Sequence, residues 1–427
     1  MTSTPFLFHD VEIERYGRVD VRVADGRVVE MGRRLVGRPD VDGHGGVLLP
    51  GLHDHHVHLA ALAAETASVR VGPADVDGPD GFAAALRAGP PGEWVRAIGY
   101  HESVAGELDR RVLDRYAPDR PVRVQHRTGA LWVWNSAALR AAGLDDGADG
   151  SGGDGRFWRE DERLRGHAPP VPLDLPGVGR RAAALGVTGF TNADPRPAAG
   201  LVETLAALPQ RVVVMSVDRS VKLMLDDATL PTPDQLAHTI AESRPRPVAV
   251  HCVTRVQLLV TLLALDEAGP VTGDRVEHGS VIPAETLPWL KRLGVTVVTQ
   301  PHFPAERGRA YATDVDADDR AHLYRCRTLA EAGIPVAAGT DAPYGTADPW
   351  AVMRAAADRE DGEAIDRRAA LGLFLGQPQL PGRAREVDVG APADLCLLHV
   401  PLRAALDTLS GDTVRAAFVN GRPITPL

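Results

Sequence analysis

Cysteine is nearly absent: Cys252, Cys326 and Cys396 are the only three, widely spaced and odd in number. Neither a disulfide framework nor a thiolate zinc site is expected, and a reducing cytoplasm fits best. Lysine is scarcer still. Of 47 basic residues only Lys222 and Lys291 are lysines, which leaves 45 arginines. No Lys/Arg-rich cluster of the kind that tracks a phosphate backbone occurs, and the net charge is −10, so nucleic acid is not an expected partner. The segment Met1 to Asp10 lacks a basic region followed by an apolar stretch, and no run of about 18 apolar residues is found. A signal peptide and a membrane span are therefore not expected. What is present is ordinary globular composition, 44% hydrophobic and 24% charged over 427 residues, enough to bury a sizeable core. The partner expected is a small-molecule substrate, and assembly into a homo-oligomer is left open.

Because arginine is the default cation, a lysine in apolar surroundings asks for a chemical reason: arginine cannot replace a lysine whose neutral amine reacts. Lys291, in Trp289-Leu290-Lys291-Arg292, reads as a solvated helix residue. Lys222, flanked by Val221, Leu223, Met224 and Leu225, is the one to explain.

The first fifty residues read as short strands (6–13, 19–23, 27–31, 46–49), with hairpin chemistry at Asp25-Gly26. The last forty have the same texture, with strands at 395–399 and 416–420. The ends, 1–49 and 385–427, are expected to pair into a small β-sandwich. Between them, apolar runs at 187–191, 211–217, 221–225, 248–252, 275–277, 296–299 and 336–339 alternate with helical stretches, as in a parallel sheet buried on both faces. With a strand ending at Leu52 they make eight. Eight strands, and no glycine-rich dinucleotide turn, favour a closed (β/α)8 TIM barrel over 50–384. Residues 68–175 break the alternation, with a Gly/Asp-rich loop (145–155) and a Pro-rich run (168–177). They are expected to form an insertion after the first barrel strand, on the face where active sites of this fold lie, able to cover the site.

The densest chemical signal is Pro50-Gly51-Leu52-His53-Asp54-His55-His56-Val57-His58, four histidines in six residues. On a strand His56 and His58 point to the same side and can grip one ion, and neutral imidazole is a common ligand of zinc-like cations. The competing reading is a polar or pH-responsive loop. One ligand-type residue then closes nearly every later strand: Lys222, His251, His278 and Asp341. Alone, His251 or His278 would more often be a core or surface histidine, and any single one would be a weak signal. Together, at one expected rim, they read as a site.

These residues resemble the amidohydrolase superfamily, metal-dependent hydrolases built on a distorted (β/α)8 barrel. Val221-Lys222, Arg275-Val276-Glu277-His278, Gln300-Pro301-His302, Gly339-Thr340-Asp341-Ala342-Pro343 and Trp134-Asn135-Ser136-Ala137-Ala138-Leu139 are similar to its YtcJ-like branch, which includes N-substituted formamide deformylases. The resemblance implies that His56, His58 and Asp341 hold one divalent metal, that His251 and His278 hold a second, and that Lys222 bridges them as a carbamate. Zinc is the expected ion, with other transition metals able to use the same shell. A lysine amine can add carbon dioxide and offer an oxygen to each ion. In the alternative, Lys222 is an ordinary buried lysine paired with Asp226 or Asp227, and the site holds one metal.

The implied activity is hydrolysis of a non-peptide C–N bond in an N-formyl or N-acyl amide or a cyclic amide, with Asp341 as general base and acid. His302 is a candidate donor to the substrate, or else a loop histidine. His101, Glu102, Arg127, Trp132, Trp134 and Asn135 are candidate substrate contacts, the two tryptophans having a core role as their alternative. Three positions depart from the branch: Ala130 where relatives carry histidine, Thr254-Arg255 in place of Gly-Asp, and Asp226-Asp227 in place of Asp-Gly. Arg255 is expected to lie on the surface rather than to face an anionic substrate group. Two other readings compete: a mononuclear aminohydrolase of a heterocycle, and a non-catalytic barrel stabilised by metal.

Overall fold

The computed structural model describes residues 5–88, 92–145, 153–218 and 220–426. Residues 60–174 form one compact unit, and the chain on either side of them forms another. Among the described residues no helix is long and apolar enough to cross a membrane.

At the N-terminus the strands Phe6–Ile13, Gly17–Ala24 and Arg27–Gly32 run as an antiparallel meander, with Val41–Asp42 parallel to the first. Asp25 and Gly26 both have positive φ, 49° and 73°, the backbone that a two-residue hairpin following the strand twist requires. Leu48–Pro50, Leu395–Leu398, Val414–Val419 and Arg422–Pro423 make a second, antiparallel sheet. Phe8, Val21, Leu48, Leu395, Leu397 and Phe418 belong to one apolar cluster fed by both sheets, and the Phe8 and Phe418 rings meet edge-on at 4.8 Å.

Eight parallel strands follow, in two sheets. Leu52–Val57, Val187–Asn192 and Arg211–Val214 pair as three; Val221–Leu223, Val248–Cys252, Arg275–His278, Thr296–Thr299 and Val336–Ala338 pair as five in chain order. Alternation sends Val248, Val250, Cys252, Val276 and Val297 toward helices 233–243, 255–268 and 287–293, where Ile240, Leu258, Leu262 and Leu290 cover them. Ala249, His251, Arg275 and Glu277 are left for the opposite face.

Two sequence-based expectations are corrected here. The first parallel strand begins at Leu52 instead of ending there. Gly51 separates it from the terminal sheet, and a Cβ at Gly51 would lie 2.2 Å from the Thr188 side chain. The hydrogen-bond ladder also does not run closed through all eight strands. After the third strand the Val214 amide donates to Asp218 Oδ2 and Ser216 turns with φ 68°, and among the described residues no ladder joins it to the fourth. Between the last strand and the first, a side chain stands in for the ladder: Asp54 accepts from the Thr340 amide at 3.0 Å and from its hydroxyl. Beyond it, the Asp341 amide donates to the His56 carbonyl at 2.8 Å and the His58 amide to the Ala342 carbonyl at 2.9 Å.

The 60–174 unit holds a five-stranded sheet of Val69–Arg70, Val95–Tyr100, Val122–His126, Leu131–Trp134 and Arg156–Trp158, the first three parallel. Phe82, Leu86, Val95, Ala97, Leu113, Val122 and Val124 form its core. Of the expected loop at 145–155, residues 146–152 lie outside the described residues.

Candidate metal centre

The four clustered histidines sort by strand alternation into two pairs. His53 Nε2 is 2.9 Å from Thr191 Oγ1, and the His55 ring lies 4.7 Å from that of His53. Burial, reinforced by Arg275 and Arg385, holds both well below the usual histidine range, so they are neutral structural residues. His56 and His58 face the other way. His58 Nε2 is 3.3 Å and His56 Nε2 3.6 Å from Asp341 Oδ1. Ligand atoms about 2.0–2.2 Å from one tetrahedral ion stand roughly 3.3–3.6 Å apart, so these three residues fit a shared cation.

The far side of each ring is fixed. His56 Nδ1 meets the Glu277 carboxylate, His58 Nδ1 is 2.8 Å from Asp194 Oδ1, and His278 Nδ1 is 2.9 Å from Gln300 Oε1. For His56 and His58 such partners set the tautomer and aim Nε2 at the shared point; at His278 the atom 3.9 Å from Asp341 Oδ2 is Nδ1 itself. Glu277 in turn accepts from Arg275, whose guanidinium also donates to the His55 carbonyl at 2.7 Å. Charge supports the same reading. Burial works against a proton on His58, but Asp194 and Asp341 outweigh it and hold the group up to about 9. A potential that keeps a proton on a buried imidazole favours a divalent cation at the same place.

His278 and Asp341 reach this point through unusual backbone. Val276 packs outward, and alternation alone would send His278 the same way. Its φ of 66° turns it inward, to 3.9 Å from Asp341 Oδ2, and Asp341 has a φ of 54°. His and Asp are among the few residues that accept this conformation, and such strain concentrates at functional sites. Ring contacts continue from His56 to His278 at 4.7 Å and from His278 to His251 at 4.6 Å. Lys222 Nζ is buried without a hydrogen-bond partner, and burial pushes its pKa down to about 8. The alternative pairing with Asp227 does not form: Asp227 accepts instead from Thr254 and Gln257. His302 is buried, and burial lowers it to about 3, leaving a neutral imidazole that feels the charge of Asp341. Asp194, unassigned from sequence, lies just past the second strand, so the strand-end logic would have found it had that strand been extended to Asn192.

The insertion residues divide differently. Trp134 is fully buried against Trp94 and Phe157, and Trp132 packs in the same cluster with its Nε1 donating to Asp161 at 2.8 Å. Asn135 spends all four hydrogen-bonding capacities internally: its Oδ1 accepts from Val122 and Ala138, and its Nδ2 donates to the Ala117 and Arg120 carbonyls. These three expected substrate contacts are interior positions. Asn135→Ala leaves two buried carbonyls and two amides short, and is expected to lower the stability of this unit by about 3 kcal/mol in urea unfolding of the full chain. His101 and Glu102 gather with His126, and the Arg127 amide donates to the Tyr100 carbonyl. Arg255 is committed to Asp319 and Glu285, a surface pairing as expected.

Comparison with known proteins bears on this geometry. The amidohydrolase family model (Amidohydro_3) matches residues 41–167 and 238–425. YtcJ of Bacillus subtilis (strain 168), described as an amidohydrolase, is 24% identical over 413 residues, covering 78% of each chain. A metal-dependent hydrolase from Pyrococcus furiosus, of uncharacterized activity, superposes with a TM-score of 0.71 at 20% identity, over 93% of this chain and 99% of that one. N-isopropylammelide isopropylaminohydrolase from Burkholderia multivorans superposes with 0.58 at 18% identity, over 99% and 98%. The structural likenesses show the shared α/β fold. The chain belongs to the amidohydrolase family, in its YtcJ-like branch, and is an enzyme acting on carbon–nitrogen bonds.

Proposed function

We propose that the chain is a metal-dependent hydrolase of a non-peptide C–N bond in a small molecule, an N-formyl or N-acyl amide or a cyclic amide. The observation that carries this reading is the meeting of His56, His58 and Asp341, each histidine held from behind by a carboxylate. In this reading they hold one divalent cation, His251 and His278 hold a second, and Lys222 bridges as a carbamate. In the same reading the eight parallel strands form a (β/α)8 barrel, with Asp54 and Thr340 joining its last strand to its first, and the terminal segments pack as a β-sandwich. A divalent cation there supplies a Lewis acid that acidifies water and polarises a carbonyl oxygen. Asp341 takes the proton of the attacking water and returns it to the leaving nitrogen. His302, neutral, donates to the substrate oxygen as it gains charge.

The test is a screen of N-formyl amines, N-acyl amides and cyclic amides with enzyme purified in bicarbonate without chelators. Turnover lost to a chelator and restored by zinc is expected. No turnover of any such substrate by metal-loaded enzyme would remove the proposal. A mononuclear aminohydrolase is the second reading, favoured because His56, His58 and Asp341 form one ion's worth of ligands; it requires ammonia release from an aminated heterocycle.

Glu277→Gln keeps the shape but removes the charge behind His56. Metal affinity is expected to fall about 10- to 100-fold in competition with a chromogenic chelator. A change within twofold would mean that Glu277 serves only Arg275.

A further inference from the structure

The 60–174 unit carries a second histidine–carboxylate cluster that the reaction above does not use. Its first and second long strands, Val95–Tyr100 and Val122–His126, are parallel, with Tyr100 paired to His126. His101, Glu102 and His126 therefore emerge at the same strand edge although 25 residues apart. His126 Nε2 is 3.3 Å and His101 Nε2 3.6 Å from Glu102 Oε2, and the three ligand atoms lie within 4.8 Å of one another. That spacing lets one ion about 2.0–2.2 Å from each be reached by side-chain rotation alone.

The two rings are also oriented alike. His101 Nδ1 is 2.8 Å from Ser103 Oγ, and His126 Nδ1 is 2.8 Å from Thr128 Oγ1. The Ser103 and Thr128 amides donate to the same Nδ1 atoms, at 3.2 and 3.3 Å, so without an ion each ring carries its proton on Nε2, turned to Glu102; a cation at the common point takes the Nε2 position as that proton shifts to Nδ1, where the hydroxyl can accept it. The histidine side chains are 17% and 13% exposed and the Glu102 side chain 42%, so the cluster has two shielded nitrogens and one open, carboxylate side. Water can complete the coordination from there. Burial also holds His126 below its usual value, which favours the neutral form that ligation needs.

We propose that His101, His126 and Glu102 form a separate mononuclear site for a divalent transition cation of the zinc class, tying together the ends of two strands of this unit. Two imidazoles and a carboxylate select such an ion over magnesium or calcium, which take all-oxygen shells.

The test is titration of the full chain with zinc chloride against a chromogenic indicator, in a His56→Ala/His58→Ala background that lacks two of the strand-end ligands. A saturable equivalent is expected there, weakened at least about 100-fold by His126→Ala or His101→Ala, more than the roughly 10-fold expected for Ser103→Ala plus Thr128→Ala. Binding that is absent, or indifferent to His126, in a chain that still melts cooperatively would overturn the proposal. If that background fails to fold, the unmodified chain decides: excess zinc is expected to add an equivalent that His126→Gln lacks, and identical stoichiometry in the two would overturn it. Because the deciding readout is dependence on His126 and His101, an ion still held by His251 and His278 in that background does not alter the outcome.

Discussion

Asp341→Asn is expected to lower kcat about 10³- to 10⁴-fold, the upper range for losing a positioned proton acceptor, while the fold is retained. Asparagine suits the test because it accepts the left-handed backbone that position 341 adopts at φ 54°, where alanine would add strain. The change is thus close to removal of one negative charge. Burial works to raise the Asp341 carboxyl, but the His58 hydrogen bond and the charges of His278 and His56 hold it below the ordinary range, so it is ionised and able to accept a proton. The variant separates the catalytic reading from that of a binding barrel. A binder keeps its ligand affinity, and an enzyme loses turnover far more than KM changes. Metal content measured on the same sample separates loss of the proton acceptor from loss of an ion. Turnover within tenfold of the parent would remove Asp341 from the chemistry.

The sequence exposed some of this site and hid the rest for identifiable reasons. The assignment of His56 and His58 to one face needed only the period of a strand, and the same rule puts His53 and His55 on the other. Position at a strand end drew attention to His251, His278 and Asp341, but not to the turns that aim the last two. Positive φ is a property of the backbone, and His or Asp at such a position signals tolerance, not the fact. Asp194 escaped because the second strand runs one residue further than its apolar residues indicate. The join between the last strand and the first was not legible either. Asp54 hydrogen-bonds across the first and last strands with its side chain, which no hydrophobic pattern records. In the insertion, Trp134 and Asn135 carried a family-like pattern and Trp132 stood out as an aromatic beside it, and all three serve packing and capping here.

Lys222→Ala carries the second large expectation: metal content falling from close to two ions per chain to one, and turnover falling at least about 100-fold. The argument starts from burial. Lys222 Nζ has no hydrogen-bond partner, and its pKa of about 8 keeps roughly one amine in ten neutral at pH 7, against about one in 3,000 for an ordinary lysine. A neutral amine attacks carbon dioxide, releases a proton and becomes an N-carboxylate with two oxygens. Arginine cannot follow, so Lys222→Arg is expected to match the alanine variant despite keeping the positive charge. Depleting bicarbonate during purification is expected to mimic both variants in the parent, reversibly, and to leave the variants unchanged. One metal per chain, indifferent to Lys222 and to bicarbonate, would remove the bridge. The single ion held by His56, His58 and Asp341 would then direct the search to aminated heterocycles and ammonia release.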